Sequence, residues 1–167
     1  MRWNCVKFDR SRSWSLAGML AVVLSGCGHE GWKAKTYATH GTVIVNGSPA
    51  ENVIVMFHSQ GEPPDVRQSV PYGLTSADGT FEMTTYDQGD GVPAGKYGLT
   101  LYWPMGKGNS PDRLAGAYLD PANPMMTVTI EKKSNELPPI KLSGVKVLKA
   151  GPAPTEGEDD WKRQIQK

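Results

Sequence analysis

Few residues in this chain are of types that do chemistry, and their spacing limits what they could do. The histidines are His29, His40 and His58. No His-Glu-x-x-His or Cys-x-x-Cys pattern joins them to a second ligand, so a metal centre would need carboxylates brought from elsewhere in the fold. His40 and His58 flank the first apparent hairpin and could approach one another across it; solvated or structural roles suit them better. Asp87-Gln-Gly-Asp90-Gly91 places two acids in a glycine-rich stretch. It lacks the alternating oxygen ligands and distal glutamate of a calcium loop and reads as a turn. No Gly-x-Ser-x-Gly elbow presents a serine nucleophile. The glycines over 89–95 do not form a Gly-x-Gly-x-x-Gly phosphate cradle between a strand and a helix. No metal, cofactor or catalytic residue is therefore expected. Tyr102 and Trp103 open a long loop and Tyr118 closes it. Exposed, they could stack on sugar rings or anchor a protein; buried, they would pack the loop onto a sheet. The latter is favoured.

The remaining reactive side chains are thiols. Cys5 lies among Arg2, Lys7, Arg10 and Arg12, with Asp9 the one acid of that segment. An uncharged apolar run over 16–24 follows. As a helix it would be roughly 14 Å long, against a hydrocarbon core of ~30 Å. It suits the apolar region of a secretory signal, not a membrane span. Next comes Leu24-Ser25-Gly26-Cys27. This tetrapeptide resembles the bacterial lipobox. The resemblance implies diacylglycerol on the Cys27 thiol, cleavage between Gly26 and Cys27, and acylation of the new amine. The implied partner is membrane lipid and the implied address is the cell envelope, outside the cytoplasm. Gly28, in place of an aspartate, favours the outer membrane over the inner by resemblance to the enterobacterial sorting pattern.

Composition agrees. The 167 residues and 18.1 kDa suffice for one domain of ordinary size. The formal charge of +1 carries no nucleic-acid footprint. Loss of four basic residues and Asp9 with residues 1–26 leaves a mature charge of about −2, poorly suited to nucleic acid or to purely electrostatic docking on anionic lipid. With Cys5 removed and Cys27 acylated, no disulfide can form. Stability must then come from packing.

Residues 27–38 show no period and read as the lipidated cysteine and a tether. From Thr39 the period becomes two. Thr42-Val43-Ile44-Val45 runs into Asn46-Gly47, a strong hairpin signal, and Asn52 to Phe57 reads as its return strand. Val43, Val45, Val53, Val55 and Phe57 would share one face. Ile44, Ile54 and Met56 would make the other face apolar too. Further strands are expected at 72–76, 80–84, 96–103, 126–130 and 140–142, with Ala77-Asp78-Gly79 as a second turn. Val55, Phe57, Phe81, Tyr97, Leu99, Leu101, Val128 and Ile130 are expected inside, and Thr80, Glu82, Thr100, Thr127 and Thr129 outside. Residues 146–167 lose the pattern and read as a disordered C-terminal tail.

Seven short strands without an amphipathic helix indicate an all-β sandwich. The stretches Gly41 to Phe57, Leu74-Thr-Ser-Ala-Asp-Gly-Thr-Phe81 and Gly91-Val-Pro-Ala-Gly-Lys-Tyr97 together resemble the carboxypeptidase regulatory-like domains, over about 39–145. The resemblance implies an antiparallel Greek-key sandwich of about seven strands, transthyretin-like (prealbumin-like), acting as a structural or binding module without catalysis. The transthyretin-like hydrolases of purine metabolism end in Tyr-Arg-Gly-Ser, whereas this sheet ends at Ile140-Lys-Leu-Ser-Gly144. The expectation is a lipid-anchored envelope module with an envelope protein or polysaccharide as partner. The alternative is a carbohydrate-binding or adhesion module using loop 103–118.

Overall fold

Alternating β-branched residues, interrupted by turn glycines and prolines, produce short strands and no helix among the described residues, which are 31–106 and 110–149 of a computed structural model. The strands are β1 (Thr36–Tyr37), β2 (Thr39–Val45), β3 (Ser48–Pro49), β4 (Ile54–Ser59), β5 (Tyr72–Leu74), β6 (Thr80–Thr84), β7 (Val92–Pro93), β8 (Gly95–Tyr102), β9 (Met126–Ile130), β10 (Asn135–Glu136) and β11 (Ile140–Leu142). All seven expected strands are present, and four two-residue strands are added. Cys5, Gly26, Cys27, His29 and residues 150–167 lie outside the described residues.

The hydrogen-bonded order β10-β2-β6-β5-β4-β8-β9 curls into an all-β sandwich. Most pairings are antiparallel. β10 and β11 run parallel to β2, with Asn135 opposite Thr39 and Leu142 opposite Val45. β6 is the corner: Thr80, Phe81 and Glu82 pair with β2, while Met83 and Thr84 pair with β5. The inward residues of both layers meet between them. Val43, Val53, Val55, Phe57, Met83, Leu99 and Leu101 are wholly buried, and Phe81, Tyr97, Val128 and Ile130 nearly so. The Phe57 and Tyr97 rings sit 5.8 Å apart, and the Tyr97 hydroxyl donates to the Pro93 carbonyl at 3.0 Å.

The tail read from residue 146 is docked at its start, where Val147 packs against the core and the Leu148 N–H donates to the Arg113 carbonyl at 2.8 Å. Two expectations about the strands fail. Asn46-Gly47 does turn the chain, both with positive φ (51° and 83°), as a tight hairpin requires. The return strand is only Ser48–Pro49, not 52–57. Pro49 has no N–H to donate, and Asn52, at φ 62°, redirects the backbone. The Asn52 N–H then donates to the Thr75 carbonyl, and Val53 exchanges bonds with Thr75. β4 thus pairs with β5 and β8, and never with β2. The five apolar residues still share one core, facing each other across the layers.

Thr100, expected outside, is fully buried. β8 lies between β4 and β9, and its outer side is covered. Pro124 sits against Gly98, the Met125 N–H donates to the Leu99 carbonyl, and His58 Nε2 is hydrogen-bonded to Thr100 Oγ1 at 2.8 Å. Alternation reads as inside and outside only where one face meets water.

Phe81 fills the corner because two glycines leave room for its ring. A Cβ on Gly41 would lie 2.5 Å from Phe81 Cζ, and one on Gly73 would lie 3.0 Å from Phe81 Cδ2. Phe81→Ala should cost about 3–5 kcal/mol, and Gly41→Ala about 1–3 kcal/mol through overpacking. In the double variant the clash is gone, so the combined loss should fall short of the sum. Denaturant unfolding of the four proteins checks this; additivity within about 0.5 kcal/mol would contradict the packing account.

Candidate functional site

Loop 103–118 leaves the end of β8 and is organised by one carboxylate. Asp112 is 8% exposed. Its Oδ1 accepts from the Trp103 N–H and its Oδ2 from the Gly116 N–H, both at 2.8 Å. The Arg113 N–H donates to the Trp103 carbonyl at 2.7 Å. Leu114 then enters the core. A carboxylate is needed because two N–H groups, thirteen residues apart, must be met by one short side chain.

Of the three aromatics weighed as a ligand platform, each is engaged at this loop, in line with the favoured expectation that they pack it onto the sheet. The Tyr102 hydroxyl donates to the Ser110 carbonyl. Trp103 Nε1 donates to the Glu51 carbonyl at 2.9 Å, and the Arg113 guanidinium lies 5.1 Å from its ring centre. Trp103 and Tyr118 pack against the core, and the Tyr118 carbonyl accepts from the Leu101 N–H. Trp103, Arg113, Glu51 and Leu74 line a shallow cleft of about 630 Å³. Arg113 Nε is buried without a hydrogen-bond partner among the described residues.

The structure separates His40 from His58. His40 is on β2, with Glu82 and Glu136 opposite it on β6 and β10. Its Nδ1 lies 3.5 Å from Glu82 Oε1. These side chains and the half-exposed Tyr72 line an open groove of about 940 Å³. His58, on β4, faces Thr100, and burial lowers its pKa. Among the described residues no group of three or more His, Cys, Asp or Glu side chains is placed to hold a metal ion. Asp90 serves its own turn, accepting from the Thr85 and Tyr86 N–H groups at 2.7 and 3.1 Å.

The cluster not anticipated from sequence lies at the opposite end from loop 103–118. Residues 32–37, read as tether, are docked there, with β1 paired to β7. Trp32 meets Tyr86 edge to face at 5.4 Å, and the Arg67 guanidinium stacks 3.7 Å from the Trp32 ring centre. The Tyr86 hydroxyl donates to Asp65 Oδ2 at 2.8 Å and accepts from the Ala34 N–H at 3.1 Å. Burial pushes the Tyr86 phenol up to about 12, the Ala34 N–H opposes this, and Asp65 adds to it. Burial would raise Asp65, but its hydrogen bonds from Tyr86, Ser69 and Arg67 outweigh that and lower it. Gly91 permits the docking: at φ 90° it brings its backbone so close to Tyr37 that a Cβ would collide with the Tyr37 carbonyl.

No family model matches this sequence, and no curated protein does. Among solved structures, the chain is similar to a DUF3823 family protein from Parabacteroides merdae, at 16% identity and a TM-score of 0.37. The match covers 66% of this chain and 47% of that one, so this chain spans about half of its length.

Asp112→Ala would orphan two N–H groups at about 1–3 kcal/mol each if they stay buried. Faster hydrogen exchange at the Trp103 and Gly116 amides, with Phe57 and Leu99 protection kept, is the expected result. For Asp65, the folded pKa is depressed. Its contribution is therefore complete above the ordinary carboxylate value and is lost as pH falls below it. Once pH falls through that depressed value the Ala34 amide should lose protection, and Tyr86→Phe should raise the Asp65 titration midpoint, both measurable by NMR.

Proposed function

We propose that this chain is a lipid-anchored module of the cell envelope, whose β-sandwich serves as a structural or binding element without catalysis. The observation that carries the reading is the N-terminal series: basic flank, apolar run over 16–24, then Leu24-Ser25-Gly26-Cys27. The resemblance of that series to the bacterial lipobox makes the Cys27 thiol the acyl acceptor in this reading. Several acyl chains, at about 0.8 kcal/mol per buried methylene, make attachment effectively permanent. The small sandwich supports the reading, since its first strand begins at Thr36, nine residues after that cysteine. The outer membrane is the address we infer from Gly28.

The body is, in this reading, a carboxypeptidase regulatory-like domain. Its support is the order of three features: the Asn46-Gly47 turn, the Asp78-Gly79 turn, and Val92-Pro93 leading to the inward Tyr97. Asp78 Oδ1 accepts from the Thr80 N–H at 3.0 Å, closing the second turn. An envelope protein or polysaccharide is the proposed partner. The alternative, carbohydrate binding by Tyr102, Trp103 and Tyr118, is less favoured because Tyr102 and Trp103 already donate to the Ser110 and Glu51 carbonyls and Trp103 and Tyr118 pack against the core.

Expressed as the full chain in a bacterium with lipoprotein-processing enzymes, the wild type should incorporate labelled fatty acid, palmitate included, and fractionate with membranes. Cys27→Ala should lose the label and either remain uncleaved or become soluble. Cys5→Ala should change neither. Label that persists in the Cys27→Ala protein would refute the anchor.

A further inference from the structure

We propose that the end of the sandwich holding Trp32 and loop 60–70 lies against the phospholipid surface, with Val66 entering the headgroup layer. This rests on the anchor at Cys27 proposed above and adds an orientation to it. Trp32 is fixed on the body by Tyr86 and Arg67. Five Cα steps separate it from Cys27. Fully extended they span roughly 17–18 Å. β8 alone, eight residues long, extends roughly 26 Å from this end to the loop at 103–118. The leash is therefore shorter than the body. A cysteine held at the membrane keeps the Trp32 end near and the Trp103 end away.

The near end has surface chemistry suited to that position. Val66 is 85% exposed, the most exposed of the large apolar residues described. A single exposed apolar side chain is ordinary on a protein surface; what gives Val66 a role is its place on the end that the leash holds near the membrane. Its neighbour Arg67 lies flat on Trp32, an aromatic and cation pair that suits a headgroup layer with one wet and one apolar side. Lys35 and Lys96 are exposed on the same end: β1 pairs with β7 just before β8 begins, and the Lys96 carbonyl accepts from the Gln60 N–H. Glu62, Asp65, Asp87 and Asp90 at the same end offset most of this charge, so electrostatic attraction to lipid is not what holds the contact. The contact thus adds orientation to an attachment that the acyl chains supply, and a soluble form should not bind vesicles by this surface alone.

The test uses the full, processed chain in vesicles of phosphatidylethanolamine and phosphatidylglycerol, some carrying nitroxide-labelled lipid. Val66→Cys and, at the far end, Glu51→Cys are labelled separately with a polarity-sensitive fluorophore; acylated Cys27 does not react. The label at position 66 should shift to the blue and be quenched several-fold more than the label at 51. A flexible glycine-serine insertion after Gly28, long enough to exceed the body, should bring the two toward equality. Equal quenching without the insertion overturns the proposal. So does a blue shift at 66 that persists without vesicles and grows with protein concentration, which would mean a second copy covers the loop. The mass of the N-terminal peptide separates the two readings: acylated Cys27 with equal quenching overturns the orientation alone, and unmodified Cys27 overturns both.

Discussion

The sandwich depends on β6 belonging to both of its layers. Five residues cannot pair fully with two neighbours that diverge, so the strand divides: Thr80–Glu82 hydrogen-bond to β2, and Met83–Thr84 to β5. The bend puts Phe81 and Met83 inside, where they join the core of both layers. The constraint is steric. The Phe81 ring occupies the volume that Cβ atoms on Gly41 and Gly73 would take. Without those gaps the layers could not close on the corner, and the valines of β2 would not meet those of β4.

From this closure the two ends of the molecule follow. β4 and β8, paired along their length from Ile54 and Tyr102 to Ser59 and Tyr97, set the long axis. At one end, loop 103–118 is gathered by the Asp112 carboxylate and closed by Leu114 in the core. At the other, β1 docks beside β7 and the Trp32, Tyr86, Arg67 and Asp65 side chains interlock. The two ends use different physics. Asp112 satisfies backbone N–H groups, which holds a loop shape. The Trp32 cluster joins segments 32–37, 60–70 and 85–90, which orients the entering chain relative to the sheet.

That difference bears on function. The loop's aromatics are engaged, Tyr102 with the Ser110 carbonyl, Trp103 with the Glu51 carbonyl and the core, and Tyr118 with the core, whereas a docked N-terminal arm would make the attachment proposed at Cys27 a directed one. An acylated cysteine only five residues before such an arm would transmit its position to the whole body.

Much of the strand content was legible in the amino-acid sequence, because residues such as Val128, Thr129 and Ile130 alternate with the pleat and the solvent does the sorting. Turn sites were legible for the same local reason: Asn46, Gly47 and Gly79 accept positive φ cheaply. The N-terminal series around Cys27 is likewise a purely local pattern. What only the tertiary structure decided is which strands meet. Pro49 and Asn52 diverted β4 to the other layer, and parallel partners for β2 came from residues almost a hundred positions later. Coverage was equally non-local: Thr100 looks solvent-facing by alternation, yet Pro124, Met125 and His58 close over that face. The Trp32 cluster could not be read beforehand because its members come from three segments, and their proximity exists only once β1, β4 and β8 have been brought to the same end.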